Sequence, residues 1–203
     1  MAGMYIGLGA TTYLLIPDKV VGALFFTVGI FLVMNFYEML FTKVVPFSVA
    51  KDYSPLDIVI TFCGNFIGSI AYSILISQTR LSPKLTEPLS ELVHKKLSDN
   101  LLSLFIMAIF CAVLVAYGVL SNKYFEKTNK SLGVFFCLIF VAAFVISGFD
   151  HVVANMFYYS FYTINVGFET PMISSFIIVG LGNIVGGLFV GFTEKYRLSE
   201  NKH

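Results

Sequence analysis

Ser147-Gly148-Phe149-Asp150-His151-Val152-Val153-Ala154-Asn155-Met156-Phe157 decides how this chain folds, because it sets two ionisable residues inside an apolar run. The run begins at Ser131, stops at Ser147-Gly148 and Asp150-His151, and resumes from Val152 to Tyr162. Ionisable side chains at membrane depth are costly and mark the paths of ions, protons or ligands. Backbone that leaves the helix at that depth must be buried in protein or line a water-filled cavity. The stretch therefore reads as a broken helix beside a polar path. The plainer alternative is that His151 only hydrogen-bonds the backbone of the break.

A second interruption lies earlier. Val20 to Tyr37 is apolar, Glu38-Met39-Leu40-Phe41-Thr42-Lys43 breaks it, and apolar residues resume toward Val49. Taken alone, Glu38 and Lys43 also fit an ordinary loop. The other apolar elements are Met1 to Ile16, Leu56 to Ser77, Leu97 to Leu120, and the run opened by Thr170-Pro171 and ending at Phe192. A spanning helix takes about 20 predominantly apolar residues. The sequence thus predicts six hydrophobic elements, the second and fifth broken, joined by the polar stretches Gln78 to Lys96 and Ser121 to Lys130.

Composition agrees. Hydrophobic residues make up 57% of the chain and charged residues 12%, where a soluble domain carries about 25% charged. With half the usual charge, and a mean hydropathy of +0.83, the chain cannot cover a globule with polar surface, so it belongs in a lipid bilayer. The net charge of +1 leaves no basic excess for nucleic acid. Cys63, Cys111 and Cys137 sit in apolar runs without metal-ligand or disulfide spacing, so neither a metal nor a cofactor is expected. The start, Met1-Ala2-Gly3-Met4, lacks the positive region of a cleavable signal peptide. Phe157-Tyr158-Tyr159 with Phe161-Tyr162 reads as a belt at the membrane interface, and His94 and His203 as solvated.

An internal repeat sets the architecture. Gly64-Asn65-Phe66-Ile67-Gly68 returns as Gly182-Asn183-Ile184-Val185-Gly186, each in the third element of its half. Three elements between the copies turn them in opposite directions across the membrane, the mark of an inverted repeat. The four glycines also fit simple helix packing. The expectation is an all-α membrane protein, one domain over 1–203, with six transmembrane helices as an inverted 3+3 repeat. The halves are about 1–80 and 86–195, followed by a short cytoplasmic tail, 194–203. Lys51, Lys123, Lys127, Lys130, Lys195, Arg197 and Lys202 outnumber Lys19, Arg80, Lys84, Lys95 and Lys96 on the other side. That bias puts both termini in the cytoplasm, in a plasma (inner) membrane.

These residues resemble the formate/nitrite transporter family of pentameric anion channels. Ser147 to Phe157 is similar to the family's S-G-F-E-H-x-x-A-N-M-F, Leu40-Phe41-Thr42 to its L-F-T, and the paired G-N-x-x-G motifs to its third and sixth helices. The resemblance implies an aquaporin-like protomer, a homopentamer, and a pore for small inorganic or organic anions. By position, His151 matches the central histidine, Thr42 the pore-loop threonine, Phe26 and Leu40 one constriction, and Phe144 the other. Lys95 matches a vestibule lysine that attracts anions, with Lys96 as the alternative. Asn65, Asn155 and Asn183 match residues that hold loops and helix contacts.

Departures from the pattern are specific. Met39 stands where the family has an acidic residue, with Glu38 one position earlier, Lys43 follows the threonine, and Asp150 replaces Glu. The family's N-terminal amphipathic helix and the front of its first helix would precede Met1, so no residue here is assigned to them. A single histidine between apolar rings suits a weak acid, which crosses more cheaply neutral than charged. The imidazole, which ordinarily titrates near neutrality, would supply the proton or order the water that does. Two other classes compete with a channel: a non-transporting membrane scaffold, and an intramembrane enzyme, for which the run lacks a second catalytic group at depth.

Overall fold

Helices begin where the sequence supplies an acceptor for otherwise unpaired N–H groups. In the computed structural model, which describes residues 1–200 and side chains as far as Arg197, α1 (Ala2–Leu15) is followed by α2 (Lys19–Asn35), where Asp18 accepts from the Val21 N–H. Then come α3 (Phe41–Ser48) and α4 (Pro55–Ser77), the latter opened by a reciprocal cap between Ser54 and Asp57. They are followed by α5 (Ser82–Leu97), α6 (Leu101–Phe125) behind Asn100, and α7 (Lys130–Ile146) behind Asn129. Last are α8 (Val152–Asn165), capped by His151, and α9 (Pro171–Glu200). No strand occurs among the described residues. Glu194 to Glu200 continues α9 as helix where a tail was expected, and Lys202 and His203 lie outside the described residues.

Among the described residues, α4, α6 and α9 are long and apolar enough to cross a membrane, while α2 and α7 are apolar but shorter. Both short helices end in the same way. Tyr37 and Gly148 take left-handed φ values of 56° and 72°. The next N–H groups, of Glu38 and Phe149, reach back to the carbonyls of Val33 and Phe144 at 2.9 and 3.0 Å. This is the six-to-one bond of a Schellman ending. Glycine adopts that φ freely, whereas a tyrosine there carries a steric cost of about 1–2 kcal/mol.

Two buried asparagines hold the backbone just past these endings. Asn65 of α4 accepts from the Phe41 N–H and donates to the Met39 carbonyl, both at 2.9 Å. Asn183 of α9 accepts from the Val152 N–H at 2.8 Å and donates to the Asp150 carbonyl at 2.9 Å. It also donates to the Ala108 carbonyl of α6 at 2.7 Å. Each asparagine thereby grips the backbone on either side of one residue, Leu40 in the first case and His151 in the second.

Close helix packing depends on missing side chains. A Cβ on Gly182 would lie 2.6 Å from the Phe105 carbonyl oxygen, and one on Gly186 would collide with that of Ile109, so α9 rests directly on α6. The first copy of the motif differs: Gly68 is in ordinary contact with α1, and Gly64 has open space around it. Gly64 therefore does not pack helices within the protomer, contrary to the expectation for all four glycines. The close approach there comes from α1, where a Cβ on Gly3 would collide with the Asn65 carbonyl oxygen.

Two further expectations change. Phe157, Tyr158, Tyr159, Phe161 and Tyr162 are buried and form no interface belt. Surrounded by α1, α4, α5 and α9, α8 is covered on nearly every side, which is what an apolar helix without a polar face requires. The polar stretch 78–96 is also more than a connection. It folds as α5, with Leu85, Leu89, Val93 and Lys96 buried along one face. Removing the carboxamide of Asn183 leaves three bonded backbone groups unpaired against two for Asn65. Asn183→Ala is thus expected to cost about 3 kcal/mol and Asn65→Ala about 2 kcal/mol, read from urea unfolding in detergent micelles. Equal losses would show that the Ala108 bond contributes nothing.

Candidate functional site

His151 is the residue before the first turn of α8, and its Nδ1 accepts from the Ala154 N–H at 3.2 Å. A nitrogen that accepts carries no hydrogen, so in the neutral ring the hydrogen sits on Nε2. Nε2 lies 2.9 Å from Thr42 Oγ1, at the start of α3, and donates to it. Among the described residues the threonine's own hydroxyl hydrogen has no other acceptor. Both side chains are buried. The pair joins the start of α3 to the start of α8, across 109 residues of chain.

An aromatic column covers the imidazole on one side. The Phe144 ring stacks on it at 5.6 Å and 21°, Phe26 meets Phe144 edge-on at 5.8 Å, and Tyr13 meets Phe26 at 6.4 Å. Phe26 and Phe144, expected on separate constrictions, thus form one pair. Leu40, expected beside Phe26, is fully buried at the start of α3, in the place equivalent to His151.

Along the column and the imidazole lies a cavity of about 40 Å³, whose walls include Tyr13, Phe26, Lys96, Phe144, His151 and Tyr158. Lys96 reaches it from α5 and forms a buried ion pair with Asp150. Lys95 is exposed: neighbours on a helix point about 100° apart, and the face of Leu85, Leu89 and Val93 turns Lys96 inward. Asn155 donates to Asp150 Oδ1 at 3.4 Å, while its own buried Oδ1 has no partner, so it belongs to this cavity as well as to the packing.

A larger cavity, of about 280 Å³, lies where the ends of α2 and α6 meet the start of α7, with Asn35, Lys43, Asp52, Asn122 and Lys123 among its walls. Sequence reading assigned no residue to it. It also missed Asp150 as the partner of Lys96, and Tyr13 and Tyr158 as walls. His94, expected to be merely solvated, lies 2.9 Å from Tyr162 Oη, which donates to Glu169 at 2.5 Å. No cluster of metal-ligating residues occurs among the described residues.

Known proteins match this chain throughout. The formate/nitrite transporter family model covers residues 1–196. The formate channel of Haemophilus influenzae is 28% identical over 212 positions, covering 88% of this chain and 74% of that protein. The chain spans about half the length of other curated relatives it matches. A solved FNT family ion channel superposes with a TM-score of 0.84 at 25% identity, over 97% of this chain and 87% of that one. A pentameric formate channel with formate bound superposes with a TM-score of 0.82 at 25% identity, over 97% and 93%. These relatives are channels and transporters, which sets the intramembrane-enzyme reading aside. From the match along its whole length and from its long apolar helices, this chain is an integral membrane transport protein and belongs to the formate/nitrite transporter family.

Proposed function

We propose that each copy of this chain is a passive pore for small monovalent anions of weak acids, such as formate, nitrite, hydrosulfide or short monocarboxylates. The observation that carries the reading is the Thr42–His151 hydrogen bond, held between an aromatic column with a lysine beyond it and a second cavity with lysines of its own. The chain crosses six times as an inverted repeat, α1, α2–α3 and α4 against α6, α7–α8 and α9. The two asparagine clamps and the two Schellman endings support that pairing. Both termini are cytoplasmic, in the plasma (inner) membrane. The assembly is a homopentamer, as in the solved formate channel, which the outward face of α4, with Gly64 among exposed Phe66 and Ile67, would suit.

Passage depends on desolvation. A bare anion pays several kcal/mol or more to enter an apolar constriction, and a neutral acid avoids most of it. As the anion loses water its own pKa rises. Lys96, not Lys95, is the lysine that meets it. Because Asp150 already balances that charge, the arriving anion finds hydrogen-bond donors without the net positive field that would keep it ionised. His151 acts as a neutral group. Its Nδ1 is committed to the Ala154 N–H and its Nε2–H to Thr42 Oγ1, so the hydrogen that the pair offers an anion is that of the Thr42 hydroxyl, oriented by the imidazole. The proton itself comes from water.

Formate uptake into proteoliposomes is therefore expected to acidify the lumen and to need no valinomycin. Flux that requires valinomycin and leaves luminal pH constant would overturn neutral passage. His151→Asn should keep the fold, because Asn accepts the same cap bond. Its uptake should fall about tenfold, the worth of one hydrogen bond to a charged group, with less acidification per formate. Thr42→Val should match it, and Thr42→Ser should retain most activity. Unaltered flux and coupling in His151→Asn would make the imidazole structural. Native mass spectrometry should give a pentamer, and a saturating dimer or trimer would contradict the assembly.

A further inference from the structure

Lys43 has no part in the neutral passage through the Thr42–His151 site. It follows Thr42 in α3, is part-buried, and lines the larger cavity while its neighbour bonds His151. Its Nζ donates to the Glu38 main-chain oxygen at 3.1 Å, which occupies one of three N–H donors. Among the described residues no carboxylate lies within ion-pair distance of it. Lys96 differs, since Asp150 balances its charge.

The charges of the cavity walls can be followed. Lys43, Lys123 and Lys130 face Asp52 and Glu126. Asp52 holds Lys123 at 3.1 Å, and the same Lys123 Nζ lies 4.7 Å over the Phe47 ring. Among the walls what remains is Lys43 and Lys130 against Glu126, one positive charge; the Glu38 carboxylate, which also acts on Lys43 through space, is paired with the Met1 amino group at 3.5 Å. Asn35, Tyr37 and Asn122 add neutral hydrogen-bonding side chains to the walls. A volume of about 280 Å³ leaves room for a small anion with part of its hydration shell.

We propose that this cavity is a second anion station, in which Lys43 binds a small monovalent anion outside the Thr42–His151 barrier. The proposal rests on reading the chain as an anion pore. One net positive charge neutralises a monoanion but leaves a dianion charged among walls that also carry carboxylates, so the station takes formate or nitrite and turns away sulfate. Part-burial makes the attraction stronger than at an open surface, and Lys43 is anchored by the Glu38 carbonyl, so little side-chain freedom is lost on binding.

The test uses the full chain with isotope-labelled formate and, in parallel, nitrite. In proteoliposomes of defined orientation, Lys43→Gln is expected to raise the half-saturating concentration about tenfold for anion supplied at the Lys43 mouth. For anion supplied at the Lys96 mouth it should change little, and Lys43→Arg should behave like the unaltered protein at both. The difference should shrink as salt is raised. Line broadening of labelled formate by the detergent-solubilised protein reads binding without flux. Lys43→Gln should remove part of it, and an equal concentration of sulfate should not. If the unaltered protein transports and Lys43→Gln changes neither mouth nor broadening, the station is overturned while the pore reading stands. If it transports nothing but shows broadening that depends on Lys43, the pore reading falls while the station stands.

Discussion

Backbone that leaves a helix inside a buried apolar interior has no water to satisfy it, and the rest of this structure depends on how that constraint is met. At Met39–Phe41 and Asp150–Val152 the carboxamides of Asn65 and Asn183 replace the missing helical bonds. An asparagine suits the task because one side chain carries both an acceptor and two donors, and the gripped segment exposes both an N–H and a carbonyl. Aspartate would lack the donor and leucine both. Once the backbone is held, Leu40 and His151 keep fixed places at the starts of α3 and α8.

Position is then set by packing. Asn183 reaches Asp150 only because α9 lies against α6 without side chains at Gly182 and Gly186, and its third bond, to the Ala108 carbonyl, joins the clamp to that contact. From the other side, α5 is anchored by Leu85, Leu89 and Val93, and the same face delivers Lys96 to Asp150. A buried ion pair of this kind contributes little net stability, because each charge has lost its water. Its effect is geometric: it ties α5 to the residue before His151, so cavity, imidazole and lysine keep one arrangement.

Much of this could be read from the residues, and the parts that could not share a reason. Asp150-His151 was conspicuous because charge inside an apolar run has few explanations, and the two asparagines because they recur at the same offset between glycines. Thr42 had no such signal and came only through resemblance. The helix α5 was hidden by its polar residues and by Pro83 and Pro88, although Leu85, Leu89 and Val93 keep helical spacing. Choosing between Lys95 and Lys96 required the phase of that helix. The aromatic run of α8 has the composition of an interface belt, and only its neighbours distinguish the two settings. The matching endings at Tyr37 and Gly148 share backbone hydrogen bonds but no residue type, so no sequence pattern marks them.

The starts of α3 and α8 are clamped alike and carry different residues, and in the proposed pore that difference bears on conduction. Leu40 and His151 each precede a clamped helix start, yet only His151 presents a hydrogen-bonding group, which Thr42 of α3 receives. A solute must bind well enough to enter a narrow path and weakly enough to leave it. Two imidazoles facing each other would offer a desolvated anion donors on both sides and deepen the well. Two leucines would offer none and leave only a barrier. In the proposed pore one polar and one apolar residue at the equivalent places give a single shallow stop, flanked by Lys96 in its buried pair with Asp150 and by part-buried Lys43 at the larger cavity. The two asparagine clamps supply the geometry, and the difference between Leu40 and His151 supplies the chemistry.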